Sequence, residues 1–197
     1  MSRLAQVPAY RVKIILRDVK PPVWRRLVLP GFWHLGKVHA AVQASMGWSG
    51  GHLHEFTRGG QRWGEPARGW DDGDGVLREE RTRLHEVVHA AGDKLAYTYD
   101  FGDDWRHVLV VEELLAPQCS ATCLAGRGAC PPDDCGGPWG YQNLLQAIKD
   151  PTHPEHAELL EWVGSPFDPK AFNLAASDEA VKSLGRTASM VRSNSSR

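Results

Sequence analysis

The sequence lacks any apolar run near the roughly 18 residues that a membrane span requires, and it opens without the charged region, apolar core and cleavage site of a secretory leader. The expectation is a protein that crosses no membrane and resides in the cytoplasm. Cysteine is scarce, four in 197 residues, and in a reducing compartment disulfides are the poorer use for them. Net charge is close to absent, at -1, which argues against strong non-specific binding to nucleic acid. No internal repeat appears.

What is there reads as one ordinary globular domain. Hydrophobic residues at 42% and charged residues at 24% are typical values. A chain of this size buries roughly 70% of its unfolded surface, so it needs neither metal nor disulfide merely to fold. Eight Trp is a high count and favours a rigid core or aromatic-lined grooves. The near-neutral charge conceals an asymmetry: residues 1–70 hold 11 Lys/Arg against 3 Asp/Glu, and residues 71–197 hold 12 against 21. Either the two halves pair across the fold, or the basic N-terminal part presents a face to phosphate backbones, making nucleic acid a possible partner.

The densest chemistry lies in Tyr97-Thr98-Tyr99-Asp100-Phe101-Gly102-Asp103-Asp104-Trp105-Arg106-His107. Leu95, Tyr97 and Tyr99 alternate with polar or small residues, the period of a half-buried strand. Trp105 to Leu114 is apolar on both faces and reads as a strand covered on both sides. Between them a tight turn carries Asp100, Asp103 and Asp104.

Upstream, Tyr10 to Leu16 and Val23 to Leu29 predict a hairpin around a turn with two prolines. Arg25 and Arg26 point to opposite faces of the second strand. One of them shares a face with Leu27 and Leu29 and needs a carboxylate partner, the acidic turn being the candidate. An anion-binding role is the alternative. Leu35 to Trp48 predicts a helix ended by Gly47, with His39 on its face. His52-Leu53-His54-Glu55-Phe56 predicts a short strand in which His52 and His54 share a face, as metal ligands or as packing residues.

Residues 57–75 read as a surface loop, although Trp70 to Gly75 has faintly calcium-loop-like spacing without the Glu in register. Arg81 to Ala90 predicts a short helix. Downstream, Cys119-x3-Cys123-x6-Cys130-x4-Cys135 places all four thiols in one stretch. A zinc clip is one reading, free or redox-labile thiols another, and an oxidised pair a third. Helices are expected over Tyr141 to Ile148, Glu155 to Val163 and Ser177 to Leu184, the last with Ser177 as cap. The domain spans residues 1–185, and the Ser-rich stretch 186–197 reads as a disordered tail.

The expected fold is α+β: a mostly antiparallel sheet packed against helices, with a C-terminal helical segment and a Cys-containing loop. Pro22-Val23-Trp24-Arg25-Arg26, Met46-Gly47-Trp48, His52-Leu53-His54-x-Phe56, the Tyr97–His107 motif, Cys130-Pro131-Pro132-x-Asp134-x-Gly136-Gly137 and Gly140-Tyr141 together resemble the plasmid pRiA-type ORF-3-like family, also called the insertion-element passenger TnpR family. The resemblance covers roughly residues 9–185. It implies an α+β fold found in bacteria and archaea, in some cases within mobile elements, and it brings no established reaction or catalytic residues. The TnpR label suggests a resolvase, yet no early Ser sits beside an Arg cluster as a serine recombinase requires.

Two functions follow from the residues. The first is a binding or accessory module linked to mobile elements, in which the Asp100–His107 turn, an Arg of the second strand and the Cys loop form one buried polar network that fixes the fold and shapes a groove, with His52, His54, Tyr99 and Trp105 as ligand-binding candidates. The second is a metal-dependent hydrolase or nuclease. There Asp100, Asp103, Asp104 and Glu112 hold a divalent ion, His107 or His54 acts as base, and Arg25 or Arg26 offsets developing charge. The cofactor the sequence suggests is zinc, held by Cys119, Cys123, Cys130 and Cys135.

Overall fold

The computed structural model describes residues 6–65, 75–164 and 166–193. Strands β1 (Ala9–Leu16) and β2 (Trp24–Pro30) form the expected N-terminal hairpin, and helix α1 (Leu35–Met46) follows. β3 (His54–Arg58), β4 (Gln61–Gly64) and β5 (Val76–Arg78) precede a 3-10 turn at Glu79–Arg81 and a short α2 (Leu84–Val87). β6 (Lys94–Tyr99), β7 (Trp105–Leu115) and β8 (Thr122–Arg127) complete the strands. Helices α3 (Gly137–Lys149), α4 (His156–Val163) and α5 (Leu174–Ser193) end the described chain.

All eight strands join one sheet in the order β5-β4-β3-β6-β7-β1-β2-β8, and every pairing is antiparallel except β4 with β5. The fold is therefore α+β, as expected. One face carries the core: Tyr10, Val12, Ile14 and Leu16 of β1, Leu95, Tyr97 and Tyr99 of β6, and Trp105, Leu109 and Val111 of β7 are buried against Leu35, Val38, Val42 and Met46 of α1. Alternation along each strand puts these residues on one side. α1 begins at His34, whose Nδ1 accepts from Lys37 N at 3.2 Å, and ends at Gly47 in the left-handed region.

Several expectations are corrected. β7 is not covered on both faces, because Val108 and Val110 are only half-buried while their neighbours alternate into the core. His52 precedes β3 instead of lying within it. The stretch read as a loop from residue 57 contains β3's C-terminal end and the whole of β4, joined through Gly59-Gly60; the Trp70–Gly75 spacing falls almost wholly outside the described residues. The helix expected over Arg81 to Ala90 shrinks to the four residues of α2. Asn173, not Ser177, caps α5, its Oδ1 accepting from Ala176 N at 3.0 Å. Helical backbone continues to Ser193, into the stretch expected as a tail. The Cys stretch holds strand β8, which pairs with β2 and so places Cys123 in the core.

Candidate cation site at the meeting of a turn and a loop

The β6–β7 turn is built by Asp100. Its backbone adopts φ +56°, a conformation Asp tolerates because its carboxylate bonds locally. Oδ1 accepts from Gly102 N at 2.9 Å and Asp103 N at 3.4 Å, and the Asp100 carbonyl accepts from Asp104 N at 2.7 Å. Asp100 N in turn donates to Leu53 O at 2.8 Å, which holds the chain before β3 against the turn. One carboxylate oxygen builds the turn and the other, Oδ2, is left for a neighbour.

The loop between β8 and α3 comes down on the same place. Trp48 Nε1 donates to Pro131 O at 2.9 Å, and Ser49 N donates to Asp133 Oδ2 at 3.4 Å. The loop seats closely on the turn because Gly137 allows it, and Gly140 lets the loop fold tightly into α3. A Cβ on Gly137 would lie 2.4 Å from the Asp103 carbonyl oxygen, and one on Gly140 would lie 1.9 Å from the Cys135 carbonyl oxygen. Gly137 also has φ +67°, so no L side chain fits there without strain.

Where loop and turn meet, His52 stands between Asp100 and Asp134. Its Nδ1 lies 3.7 Å from Asp100 Oδ2 and its Nε2 lies 3.4 Å from Asp134 Oδ1. Neither contact has hydrogen-bond geometry, so the three side chains are neighbours without being mutually satisfied. One ligand atom from each lies within 4.8 Å of the others, and among the described residues this is the one group of three or more His, Cys, Asp or Glu so placed. Asp134 also takes a positive φ, +59°. Tyr99 supports His52 edge-on, with ring centroids 5.8 Å apart. Asp134 reaches onward to a cleft of about 470 Å³ between α3 and α4, lined also by Cys135, Leu144, Leu159 and Trp162.

The other candidate residues are dispersed. Tyr99 and Trp105 are buried beneath the site, their rings tilted against Trp48 with centroids 5.1 and 5.8 Å away. His54 bonds buried Glu79 at 2.8 Å and stacks on His39 at 3.5 Å, forming an interior polar group with Tyr97 and Gln43. Burial, then the neighbouring His54, lowers the His39 pKa to about 3. His107 lies in the core, where burial lowers its pKa to about 4. Asp104 faces Arg106 at 3.2 Å. Glu112 lies seven residues along β7 from Trp105, roughly 23 Å at strand rise, and is held by Arg26 at 2.6 and 2.8 Å.

Arg25 is the buried guanidinium, but among the described residues it has no carboxylate partner. It donates to the carbonyls of Ser45 at 2.7 Å, Trp24 at 2.9 Å and Arg127 at 3.0 Å, and its charge lies over the Phe172 ring at 4.5 Å. Carbonyl dipoles and a ring quadrupole replace the expected ion pair.

The four thiols are free and do not converge. Cys119 is exposed, Cys123 buried, and Cys130 and Cys135 half-buried. Burial pushes the Cys130 thiol up, and burial with nearby Asp103 pushes Cys135 to about 12. Among the described residues no three of these thiols meet at ligand distance. Asp134 and Glu79 are the residues that sequence reasoning missed. Asp134 stands within the Cys130–Gly137 motif, where nothing in the spacing marks it as a ligand, and Glu79 carries no signal.

These features define a class: an α+β protein with one mixed, largely antiparallel sheet, whose β6–β7 turn and glycine-bearing loop enclose a small polar site. The sequence model of the plasmid pRiA4b ORF-3-like proteins matches residues 8–176, and the chain belongs to that family. It is 40% identical over 178 residues to the uncharacterized protein y4hQ of Sinorhizobium fredii, covering 88% of this chain and 91% of that one. It is also similar to the crystal structure of MM3350, a protein of unknown function from Methanosarcina mazei Go1, with 32% identity and a TM-score of 0.78 over 88% of this chain and 98% of that chain.

Proposed function

We propose that the protein is a binding module whose His52, Asp100 and Asp134 hold a divalent cation at the foot of the α3–α4 cleft. The observation that carries this reading is the approach of three ligand atoms, from three separate segments, to within 4.8 Å. One imidazole nitrogen and two carboxylate oxygens suit a borderline divalent ion such as zinc or manganese. Three protein ligands leave coordination positions for a ligand entering along Asp134. The cation would also cancel the repulsion between two carboxylates brought together by the docking of the loop.

The hydrolytic reading loses support from the same geometry, since His107 is in the core and Glu112 is held by Arg26 at the far end of β7. A nucleic-acid partner is likewise less favoured: Arg11, Arg26 and Arg58 of the basic N-terminal part pair with Glu113, Glu112 and Asp93 at 2.5, 2.6 and 2.7 Å. Among the described residues, no helix is long and apolar enough to cross a membrane.

Calorimetric titration of the metal-free protein with Zn²⁺ and, separately, Mn²⁺ tests the proposal. Binding near one ion per chain is expected, lost in His52→Ala and weakened at least tenfold in Asp100→Asn and Asp134→Asn. Binding that survives all three substitutions, or none at millimolar ion, overturns it.

A further inference from the structure

Strand β7 has the composition of a strand buried on both faces, yet the described chain covers only one. Helices α1 to α5 all send residues to a single core on one side of the sheet. The alternate residues of β6, β7, β1 and β2 point away from that core. They meet in register: Ala96 pairs with Val108, Val108 with Ile15, and Ile15 with Trp24. The result is an apolar stripe of roughly 14 Å across four strands. Ala96 is exposed and the other three are half-buried. An antiparallel sheet with one face in water ordinarily turns polar side chains to it, so this stripe has the chemistry of a surface that is covered.

Cations border the stripe on both sides. Two residues along the strands on one side, Lys94 pairs with Val110, Val110 with Lys13, and Lys13 with Arg26. On the other side Arg106 lies beside Arg17, whose backbone N donates to Arg106 O at 2.8 Å. Glu112 holds Arg26, and Asp18 and Asp104 lie against Arg106. Among the described residues Lys13, Arg17 and Lys94 form no ion pair. Each flank of the stripe therefore presents a cation without a carboxylate.

These charges decide what covers the face. A second copy would set the same unpaired cations against one another, which costs affinity. Single-stranded nucleic acid stacks its bases on open rings. Trp24 is the one ring in the stripe, and Lys13 and Arg26 already lie over it at 4.9 and 5.3 Å. The other positions are aliphatic and suit a protein surface. A helix is about 10 Å across, and the two cationic rows stand roughly 7 Å to either side of the stripe. A helix that is apolar below and acidic along both flanks matches the stripe and both rows together.

We infer that the open face of the sheet docks an acidic amphipathic helix of a partner protein. Its apolar side lies on Val108 and Ile15, and its carboxylates reach Lys13 and Lys94 on one flank and Arg17 on the other. This inference does not rest on the cation site.

Fluorescence anisotropy with a labelled, end-capped peptide of about four helical turns, with Leu and Ala on one face and Glu along both flanks, tests it. Saturable binding is expected, reduced by added salt and unchanged by His52→Ala. Lys13→Glu with Lys94→Glu should weaken it at least tenfold, and Ile15→Thr with Val108→Thr severalfold, Thr keeping the β-branch that suits a strand. Circular dichroism checks that these variants fold. A peptide with Lys in place of Glu should bind the parent poorly and the charge-reversed variant well. Equal binding of that Lys peptide by the parent overturns charge complementarity. Equal binding of a Glu peptide without Leu overturns the apolar stripe. Displacement by single-stranded DNA or by anionic phospholipid vesicles at equal concentration assigns the face to phosphate groups and overturns the protein partner. A dimer in sedimentation that the peptide dissociates places a second copy there and overturns it as well. Absence of binding at millimolar peptide overturns the inference outright.

Discussion

His107 is where a single residue sets a property of the whole protein. Its Nδ1 lies 3.0 Å from the Trp105 carbonyl and donates to it, so Nε2 is left bare in the core without a partner among the described residues. Protonating Nε2 would drive a charge into an apolar site, which is why its folded pKa is about 4 against an ordinary 6.5. A histidine depressed in this way adds stability that is full above its unfolded pKa and is lost as pH falls from 6.5 towards 4. Urea midpoints should therefore drop between pH 7 and pH 5, by on the order of 2 kcal/mol for this residue, and by less in His107→Gln. A flat stability profile over that range in the parent protein would contradict the account. At the same scale, the thiols should separate by burial. One thiol, Cys119, should react quickly with a thiol reagent and the other three should react only as the chain unfolds. Four fast thiols would mean that β8 and the following loop are open.

At the scale of elements, Arg25 and Gly137 are joints. Arg25 ties β2 to the end of α1 through Ser45 and to β8 through Arg127. Lys has neither the fork nor the reach to meet three carbonyls, so Arg25→Lys should cost on the order of 2–3 kcal/mol in chemical denaturation, with three buried acceptors left short of donors. Gly137→Ala drives a methyl into the Asp103 carbonyl and a left-handed backbone together. It should cost at least about 1 kcal/mol and lower cation affinity with it, because the loop then stands off the turn. Unchanged affinity in that variant would separate the loop from the site.

The same joints explain what could be read in advance. The hairpins, α1 and the buried face shared by Arg25 and Leu27 were legible because periodicity reports burial directly. β8 was not: Thr122-Cys123-Leu124-Ala125-Gly126-Arg127 has no clean alternation, and its strand conformation comes from pairing with β2. For the site, the Asp100 turn and His52 were legible as chemistry, whereas their convergence with Asp134 depends on a loop that lies beyond strands β7 and β8. The carbonyl partners of Arg25 were invisible for the same reason, since a backbone oxygen leaves no mark in a sequence.

Across the whole molecule, one connected core runs from Tyr10 of β1 to Val181 of α5. The described chain should therefore unfold in a single transition, with circular dichroism and Trp fluorescence giving coincident curves. A separate early transition would place α3 to α5 in a unit of their own. The charge asymmetry also resolves at this scale, as pairs such as Arg11 with Glu113 and Arg58 with Asp93 join the basic stretch 1–70 to the acidic stretch that follows it.

The seating of the loop on Trp48 has a kinetic consequence. Its bond from Trp48 to Pro131 closes a circuit of 83 residues, and the surfaces it lands on, the end of α1 and the β6–β7 turn, must exist first. Ion capture should thus appear only in the last phase of refolding, after the sheet has formed, which makes a bound metal a clock for the final step of assembly.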